Sequence, residues 1–407
     1  MGRGGKGAPL DLGRYHFDCK IFNGYKPCHP GWVCQGCEEY DPIEEGGSAK
    51  EEPPRSNRAL KATGQGTPVL LINLGACGDV LRTTAILPAI EKKYPGSFLT
   101  WVTDRASVSV LLGNPFVDRL IPYGPETTAS LSQERFDVVL NVDKDLRAAA
   151  LTNRIQAPQK FGFGFLRSGV IYPINPAALE LFDLGVNDAF RFYKNRKPLH
   201  QLFAEALELE YQGEGYQLIL TSEEEQFVQS YRRGIGVTGG EPIIGINTGC
   251  SDRIPYRRFV LEKHVELIES LRKELPEVKI ALLGGREDTE TNNRLKEIFG
   301  ERVIATPTTL GLRKGVCFVE ACDLIITGDS VGMHIAIALK KPMVVWFGPT
   351  SEHEIDLYGR GIKLVTQLTC HPCWKHFCDF EVKCNEIVET HKVSDAAQSL
   401  LRTLSAR

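Results

Sequence analysis

The sequence lacks long apolar runs and any excess of charge of one sign. No stretch approaches the ~20 apolar residues that a membrane-spanning helix needs, and a net charge of −3 over 407 residues gives no basic field for nucleic acid. The amino-terminal segment, residues 1–10, is glycine-rich without an apolar core, which does not fit a secretory signal peptide. These absences predict a cytoplasmic protein with no membrane span and no nucleic-acid partner.

Length and composition predict a globular chain of more than one domain. Hydrophobic residues make up 42% of the chain and charged residues 24%, as in ordinary globular proteins. A length of 407 residues exceeds what one hydrophobic core usually serves. We therefore expect two full cores.

Twelve cysteines are many for a chain without a secretion signal, and eight of them fall in two clusters. One cluster has the spacing C-x8-C-x5-C-x2-C and the other C-x2-C-x4-C-x5-C. The clustered residues are Cys19, Cys28, Cys34, Cys37, Cys370, Cys373, Cys378 and Cys384. Such clusters favour structural zinc or iron over disulfides, with reduced thiols as the alternative. The eight cysteines fit either two separate metal sites or one site that draws ligands from both clusters. No catalytic metal is expected.

The chain is predicted to divide into four segments. They are a cysteine-rich leader and linker (1–65), an amino-terminal domain (66–235), a carboxyl-terminal domain (236–390) and a terminal helix (391–407). Both domains repeat a buried strand, a turn and an amphipathic helix, the pattern of doubly wound α/β units. The first opens on a strand at 69–74 and a helix expected over 79–94, and a glycine-rich hinge is expected at 234–240. Such units bind ligands in a cleft at the carboxyl ends of their strands.

Four polar loops follow strands of the second domain. They lie at residues 247–253 with Arg257 beyond, 284–287, 328–334 and 348–350. The third loop opens a helix whose first backbone N–H groups have no partner within the helix, so they favour an anion. Hydroxyl and guanidinium groups beside such a helix suit a diphosphate, and Glu287 is placed to hold ribose hydroxyls. The alternative for each loop is an ordinary solvated connection, capped in the third by Asp329 or Ser330.

In the first domain, Asp79 stands at the start of the first helix, after the turn 75–78. The two interpretations of Asp79 are a helix cap and a general base. The helix dipole keeps such a carboxylate ionised, so it is a weak base that suits late proton transfer. The turn is not GxGxxG, which weakens a dinucleotide interpretation although Asp104 follows the second strand. The Asp143-Lys144-Asp145 triplet fits a strand-end loop better than a metal site.

Together these residues resemble glycosyltransferase family 9, the ADP-heptose:lipopolysaccharide heptosyltransferases. The resemblance covers roughly residues 68–388, and its most specific parts are 78–84, 247–249, 328–334, 347–350 and the second cysteine cluster. It implies an α/β fold of the GT-B type, in which two Rossmann-like doubly wound domains face a cleft, with small cysteine-rich metal knuckles added. The amino-terminal domain would bind the acceptor and the carboxyl-terminal domain the ADP-heptose.

The resemblance also implies roles for individual residues. Asp79 matches the family's proposed catalytic base. The donor-binding residues that it implies are Thr248, Arg253, Arg257, Gly284, Glu287, Asp329, Ser330, Val331, Gly332 and His334. The chain departs from the family at Arg257, where a lysine is usual, in the order Val331-Gly332, and in its leader.

The implied reaction is an inverting transfer of heptose from ADP-heptose to a hydroxyl of the lipopolysaccharide core or a related glycan. It needs no catalytic metal, and it would bring the protein into peripheral contact with a membrane-borne acceptor. One alternative is a transferase of the same fold that glycosylates a protein or uses another nucleotide sugar. Two further alternatives are an NAD-dependent oxidoreductase and a metal-knuckle interaction protein without catalysis; the missing GxGxxG and the presence of Asp79 and His334 count against them.

Overall fold

A computed structural model of the protein describes Tyr15, His16, Cys19, Cys37 and residues 66–237 and 240–405. The chain divides into two units, Met1–Glu214 and Gly215–Arg407, each with its own parallel sheet. None of the helices in these described ranges is both long and apolar enough to cross a membrane.

The first unit is built on a six-stranded sheet in the order β3-β2-β1-β4-β5-β6. Its strands are β1 (Pro68–Asn73), β2 (Phe98–Thr103), β3 (Arg119–Pro122), β4 (Val138–Asn141), β5 (Gln159–Phe165) and β6 (Ile171–Pro173). Every pairing is parallel except β5 with β6. The central strand β1 is apolar from Val69 to Ile72, as expected where both faces of a sheet are covered. Its Leu71 pairs with Trp101 on one side and Leu140 on the other.

Within the described residues of this unit, six α-helices accompany the sheet. They are α1 (Cys77–Thr83), α2 (Leu87–Lys93), α3 (Thr127–Leu131), α4 (Leu146–Arg154), α5 (Leu179–Val186) and α6 (Leu199–Ala206). The single helix predicted over 79–94 is wrong, because a 3₁₀ turn at Thr84–Ile86 separates α1 from α2. Pro88 stands at the start of α2, where its missing N–H does no harm; in the middle of one long helix it would remove a hydrogen bond.

The second unit repeats the same plan with every pairing parallel. Its strands are β7 (Ile243–Asn247), β8 (Lys279–Leu283), β9 (Ile304–Ala305), β10 (Leu324–Gly328), β11 (Met343–Phe347) and β12 (Gly361–Val365), in the order β12-β11-β10-β7-β8-β9. Its helices are α7 (Ser222–Gly234), α8 (Leu261–Glu274), α9 (Thr289–Phe299), α10 (Leu312–Ala321), α11 (Val331–Ala338) and α12 (Thr390–Ser405).

Helix α7 belongs to the second unit, although the sequence places a domain boundary after residue 235. Its Val228 packs against Cys317 and Ala321 of α10, and Arg313 of α10 forms an ion pair with Glu224 of α7. The terminal helix α12 likewise joins the core of this unit, where Ala397 packs with the strands and α8. Burial of these helix faces makes both of them integral parts of the second unit.

Both sheets reverse their strand order at one central point. In the first unit the chain leaves β1 towards β2 and β3 and returns to β4 on the other side of β1; in the second unit it leaves β7 towards β8 and β9 and returns to β10. In the first sheet, the loops after β1 and β4 therefore diverge and leave a crevice at the carboxyl end. The loops after β7 and β10 do the same in the second sheet. Ligands of doubly wound folds bind at such points.

Candidate functional site

The carboxyl ends of β7 and β10 are joined by the side chain of Asn247. Its amide nitrogen lies 3.1 Å from Ser330 Oγ, 3.2 Å from Thr327 Oγ1 and 2.8 Å from the carbonyl oxygen of Gly249. A Cβ on Gly332 would lie 2.7 Å from Asn247 Oδ1, so a glycine is required there for the first turn of α11 to approach this amide. Asn247 therefore fixes two predicted ligand loops to each other.

Arg257 and Asp329 lie together beside this junction. Their nearest charged atoms, Arg257 Nη1 and Asp329 Oδ2, are 3.6 Å apart, and the two side chains are 16% and 11% exposed. Gly328 lies directly under the backbone of Arg257, since a Cβ on it would be 1.8 Å from the Arg257 carbonyl oxygen. The structure thus brings a cation from the loop after β7 to the start of α11, as the sequence predicts for an anion site.

Helix α11 begins with a capped turn that leaves its amino-terminal end ordered. Ser330 is the N-cap, and its hydroxyl accepts the N–H of Met333 at 3.3 Å. Val331 is exposed at the first helical position, and Gly332 is partly exposed beside it. His334, one turn further, is buried, and its ring stacks on Tyr216 with centroids 6.0 Å apart. The first residues of the helix are therefore accessible, whereas His334 is buried against Tyr216.

Thr248 faces the interior instead of the crevice. Its hydroxyl is 2.6 Å from Asn292 Oδ1 and 3.1 Å from the carbonyl oxygen of Leu283, and the residue is 1% exposed. These bonds tie the loop after β7 to β8 and α9. The side chain predicted as a phosphate contact is therefore engaged in holding the loop, because the pleat of β7 turns Asn247 and Thr248 to opposite sides.

The loop after β8 places Glu287 at the surface and Asp288 inside. Gly284 is partly exposed, and Glu287 is exposed, as a ribose contact requires. Asp288 accepts the N–H of Gly285 at 2.8 Å and packs so tightly on Gly249 that no Cβ would fit there. Burial raises the pKa of Asp288 to about 6, although the Gly285 N–H opposes this. No local sequence pattern indicates this role of Asp288, since it depends on contact with Gly249 in the loop after β7.

Arg253 lies apart from the Arg257 and Asp329 pair. It is exposed on the loop after β7, and its backbone N–H donates to Ser251 Oγ at 3.2 Å. No ion pair is recorded for its guanidinium among the described residues. A long cation in this position is accessible to a ligand but is not held in place by the protein.

In the first unit, Asp79 occupies the first turn of α1. Its side chain is 47% exposed and lies 3.9 Å from Arg82, which is itself buried. Asn73, at the end of β1, bonds the hydroxyl of Thr83 at 2.7 Å and approaches the carbonyl oxygen of Asp79. The side chain of Asp79 makes no helix-capping hydrogen bond, because the cap position belongs to Ala76. An accessible carboxylate on a fixed turn is what a general base requires.

Asp143, in the Asp-Lys-Asp triplet, lies near Asp79. One of its carboxylate oxygens accepts the N–H of Leu74 and the other the N–H of Asp145, at 2.8 and 2.9 Å, so it joins the ends of β1 and β4. Burial raises its pKa to about 6, and the nearby charges of Asp145 and Asp79 add to the effect while the two N–H groups oppose it. Proximity to Asp79 follows from sheet order, which the Asp-Lys-Asp triplet alone does not reveal.

The four cysteines of the second cluster line one small cavity. Tyr256, Gly348 and Pro349 are among the other residues that line it beside Cys370, Cys373, Cys378 and Cys384. Burial raises the pKa of Cys384 to about 12, and the three neighbouring sulfurs reinforce this. In the described part of the chain, no three His, Cys, Asp or Glu side chains are arranged as the ligands of one metal ion. The thiols converge on one place without forming a ligand set in this conformation.

Two cysteines of the leader cluster are described, and Cys28 and Cys34 lie outside the described residues. Cys19 is buried and Cys37 is partly exposed, both as free thiols. Tyr15 packs edge-on against Phe182 of α5 with ring centroids 5.0 Å apart. Tyr15 is therefore packed on the first unit.

Comparison with known proteins agrees with this architecture. Residues 126–383 match the model of Glycosyltransferase family 9 (heptosyltransferase). The chain is 23% identical over 290 residues to the lipopolysaccharide core heptosyltransferase OpsX of Haemophilus influenzae, an alignment that covers 67% of this chain and 77% of OpsX.

Solved structures show the same fold. E. coli ADP-heptose LPS heptosyltransferase II superposes with a TM-score of 0.63 at 18% identity, covering 83% of this chain and 100% of that one. The iron-containing dodecameric glycosyltransferase TibC from enterotoxigenic E. coli superposes with a TM-score of 0.52 at 13% identity, covering 84% and 77% of the two chains. At this level of identity the likeness establishes the GT-B type fold with its two parallel-sheet units.

Proposed function

The chain belongs to glycosyltransferase family 9, and on that premise we propose that it transfers heptose from ADP-heptose to a hydroxyl of the lipopolysaccharide core or a related glycan. Two of the relatives named above, OpsX and E. coli heptosyltransferase II, carry lipopolysaccharide in their names, and the second also carries ADP-heptose. The observation that supports the donor assignment most is Arg257 held 3.6 Å from Asp329 at the start of α11.

The second unit is proposed to bind the donor. Arg257 and the amino-terminal N–H groups of α11 meet the negative charge of the diphosphate, and the aspartate beside Arg257 keeps its guanidinium in place. Glu287, accessible after β8, accepts hydrogen bonds from ribose hydroxyls. Thr248 supports this site by fixing the loop that leads to Arg257.

The first unit is proposed to supply the base. Asp79 takes the proton of the acceptor hydroxyl as that oxygen attacks the anomeric carbon of the heptose. The bond from the anomeric carbon to ADP breaks in the same displacement, which inverts the anomeric centre. The charge that develops on the departing diphosphate is stabilised by Arg257 and α11, so the chemistry is assigned no catalytic metal.

A ligand screen by thermal unfolding tests the donor assignment. A ligand that binds the folded state raises the unfolding midpoint, so ADP and ADP-heptose are expected to raise it at concentrations where UDP, GDP and NAD do not. Stabilisation by UDP without stabilisation by ADP would favour the alternative nucleotide sugar, and stabilisation by NAD alone would contradict a transferase donor site. For the acceptor, the alternative to a glycan is a protein that the enzyme glycosylates.

We further propose that the cysteine clusters hold structural zinc or iron. The four thiols of the second cluster share one cavity, and the solved relative TibC is described as iron-containing. A cysteine-rich loop has little apolar surface to bury, so a bound metal would supply its folding energy. No residue of the proposed base or donor loops belongs to the ligand set.

Elemental analysis of full-length protein purified under reducing conditions tests this proposal. About one zinc or iron is expected per cluster that acts alone, and about one per chain if the clusters share ligands. Cys373→Ser should lower the metal content, whereas Cys77→Ser, outside both clusters, should leave it unchanged. Well under one equivalent of zinc plus iron, with every thiol free to titrate, would contradict it.

A further inference from the structure

The cysteine loop, residues 370–385, is bonded to the loop that follows β11. The backbone N–H groups of Cys373 and Trp374 both approach the carbonyl oxygen of Pro349 at 2.9 Å. The ring of His371 lies 2.6 Å from the carbonyl oxygen of Gly348 and 3.0 Å from the carboxylate of Glu352. One side of the cysteine loop is therefore fixed to the carboxyl end of the sheet.

The same loop is bonded to the segment that carries Arg257. The backbone N–H of Cys378 donates to the hydroxyl of Tyr256 at 3.1 Å, and the amide of Asn385 donates to the carbonyl oxygen of Arg258 at 3.1 Å. Tyr256 also lines the cavity that the four thiols share. The residues immediately before and after Arg257 are thus both held by the cysteine loop.

Arg257 itself is supported from the opposite side by the sheet. Its backbone lies against Gly328, its guanidinium lies 3.6 Å from Asp329, and it ends the short 3₁₀ turn Pro255–Arg257. Such a brief turn has little hydrogen bonding of its own to define its position. The backbone of Arg257 is therefore placed by the sheet on one face and by the cysteine loop on the other.

We propose that Tyr256 is a positioning residue for donor binding, through which the cysteine loop holds Arg257 in reach of the donor diphosphate. An arginine whose backbone is already fixed loses less freedom when it binds a diphosphate, so affinity rises without a new contact. The inference rests on the proposed function in taking Arg257 as the diphosphate ligand. It gives the cysteine loop a role in substrate affinity as well as in stability.

A purely structural role for Tyr256 makes a different prediction. If the hydroxyl only stabilises the fold, its removal lowers the unfolding temperature and affects all ligands alike. If it positions Arg257, its removal weakens ADP and spares adenosine, which has no phosphate for Arg257 to contact. The ratio of the adenosine and ADP dissociation constants therefore separates the two roles.

The experiment uses the full-length protein in four forms: wild type, Tyr256→Phe, Asn385→Ala and Tyr211→Phe. Tyr211 is the matched control, because its hydroxyl also bonds a backbone atom, the carbonyl oxygen of Glu214 at 2.8 Å, but in the first unit. Dissociation constants for ADP and adenosine are measured by isothermal titration calorimetry, and thermal unfolding verifies that each form is folded.

Tyr256→Phe is expected to weaken ADP by about three- to tenfold, the usual effect of one lost hydrogen bond, with adenosine unchanged. Asn385→Ala should change ADP affinity in the same direction and provides the test if Tyr256→Phe does not fold, while Tyr211→Phe should match wild type. Wild type that binds no ADP would overturn the proposed donor. Two results would overturn this inference alone, provided that wild type binds ADP. In the first, Tyr256→Phe and Asn385→Ala bind ADP as tightly as wild type does. In the second, both variants lose affinity for ADP and adenosine in parallel.

Discussion

The two units share a strand order but differ in the side chains that join the central strands at the switch point. In the first unit the link is the carboxylate of Asp143, which accepts the N–H of Leu74 across from β4 to β1. In the second unit the link is the neutral amide of Asn247, which reaches Ser330 across from β7 to β10. The same backbone topology thus fixes where each site lies, while the loop residues decide which chemistry it supports.

The difference extends to the residues that face each crevice. The first unit presents the carboxylate of Asp79, with Asp143 behind it, and the second presents the guanidinium of Arg257 and the amino-terminal end of α11. An acidic crevice suits removal of a proton, and a cationic one suits a diphosphate. The comparison predicts that catalysis and donor affinity can be altered separately.

Replacement of Asp79 is expected to have the largest effect. Asp79→Asn should lower kcat by roughly 100-fold or more, the usual scale for a positioned base. The measurement is steady-state transfer with saturating donor and acceptor. Asp104→Asn is the control, because Asp104 caps the next turn of the same unit through an oxygen that asparagine retains. Equal activity of Asp79→Asn and wild type would contradict the assignment of Asp79 as the catalytic base.

Replacement of Arg257 should have the next largest effect. Arg257→Gln is expected to weaken ADP by about 10- to 100-fold, because a charge-assisted hydrogen bond contributes about 1.5–3 kcal/mol. Calorimetric titration with ADP measures it. Arg253→Gln, on the same loop but with its guanidinium exposed, should change the affinity much less. A larger loss of ADP affinity for Arg253→Gln than for Arg257→Gln would indicate that Arg253, and not Arg257, binds the phosphates.

The smallest effect concerns the acidic link in the first unit. The pKa of Asp143 is raised by burial to about 6, so between about pH 4 and 6 the folded state binds its proton more tightly than the unfolded state does. The stability gained from this proton is present at low pH and is lost as the pH rises through 6. On going from pH 7 to pH 4, wild type should gain roughly 1–3 kcal/mol of unfolding free energy relative to Asp143→Asn.

Asp145→Asn is the control with the opposite sign. Burial raises the pKa of Asp145, but hydrogen bonds and the charge of Arg147 outweigh it and leave the pKa below its ordinary value. The stability that its ionised form contributes is present above about pH 4 and is lost as the pH falls. Urea unfolding at pH 7 and pH 4 measures both effects. On going to pH 4, the unfolding free energy of wild type should rise relative to Asp143→Asn and fall relative to Asp145→Asn. Changes in the same direction would contradict the raised pKa of Asp143.

Sequence alone predicts the parts of the fold that depend on local pattern. The continuous apolar runs of β1, β7 and β10 identify buried parallel strands, and the capped start of α11 follows from Ser330. The sequence analysis does not predict the β5–β6 hairpin. Its first strand pairs with Asn141 of β4 at Gly162, where φ is +94° and a Cβ would lie 1.7 Å from the Asn141 carbonyl oxygen. That requirement comes from the neighbouring strand, which local pattern does not contain.

The candidate site shows the same limit. Arg257, Asp329 and Ser330 were placed correctly near one another because loops at the ends of parallel strands must converge. The direction of Thr248 and the bond from Asp143 to Leu74 depend on contacts with residues far along the chain. Residues proposed to contact the ligand therefore have clearer local sequence signals than residues that hold the loops in place.

The most direct test of the division between the units is the affinity of Asp79→Asn for ADP, measured by calorimetry beside wild type and Arg257→Gln. The account predicts that Asp79→Asn binds ADP as tightly as wild type, within about twofold, although its kcat is reduced by roughly 100-fold. A loss of ADP affinity in Asp79→Asn as large as that in Arg257→Gln would contradict it, because the base would then belong to the donor site.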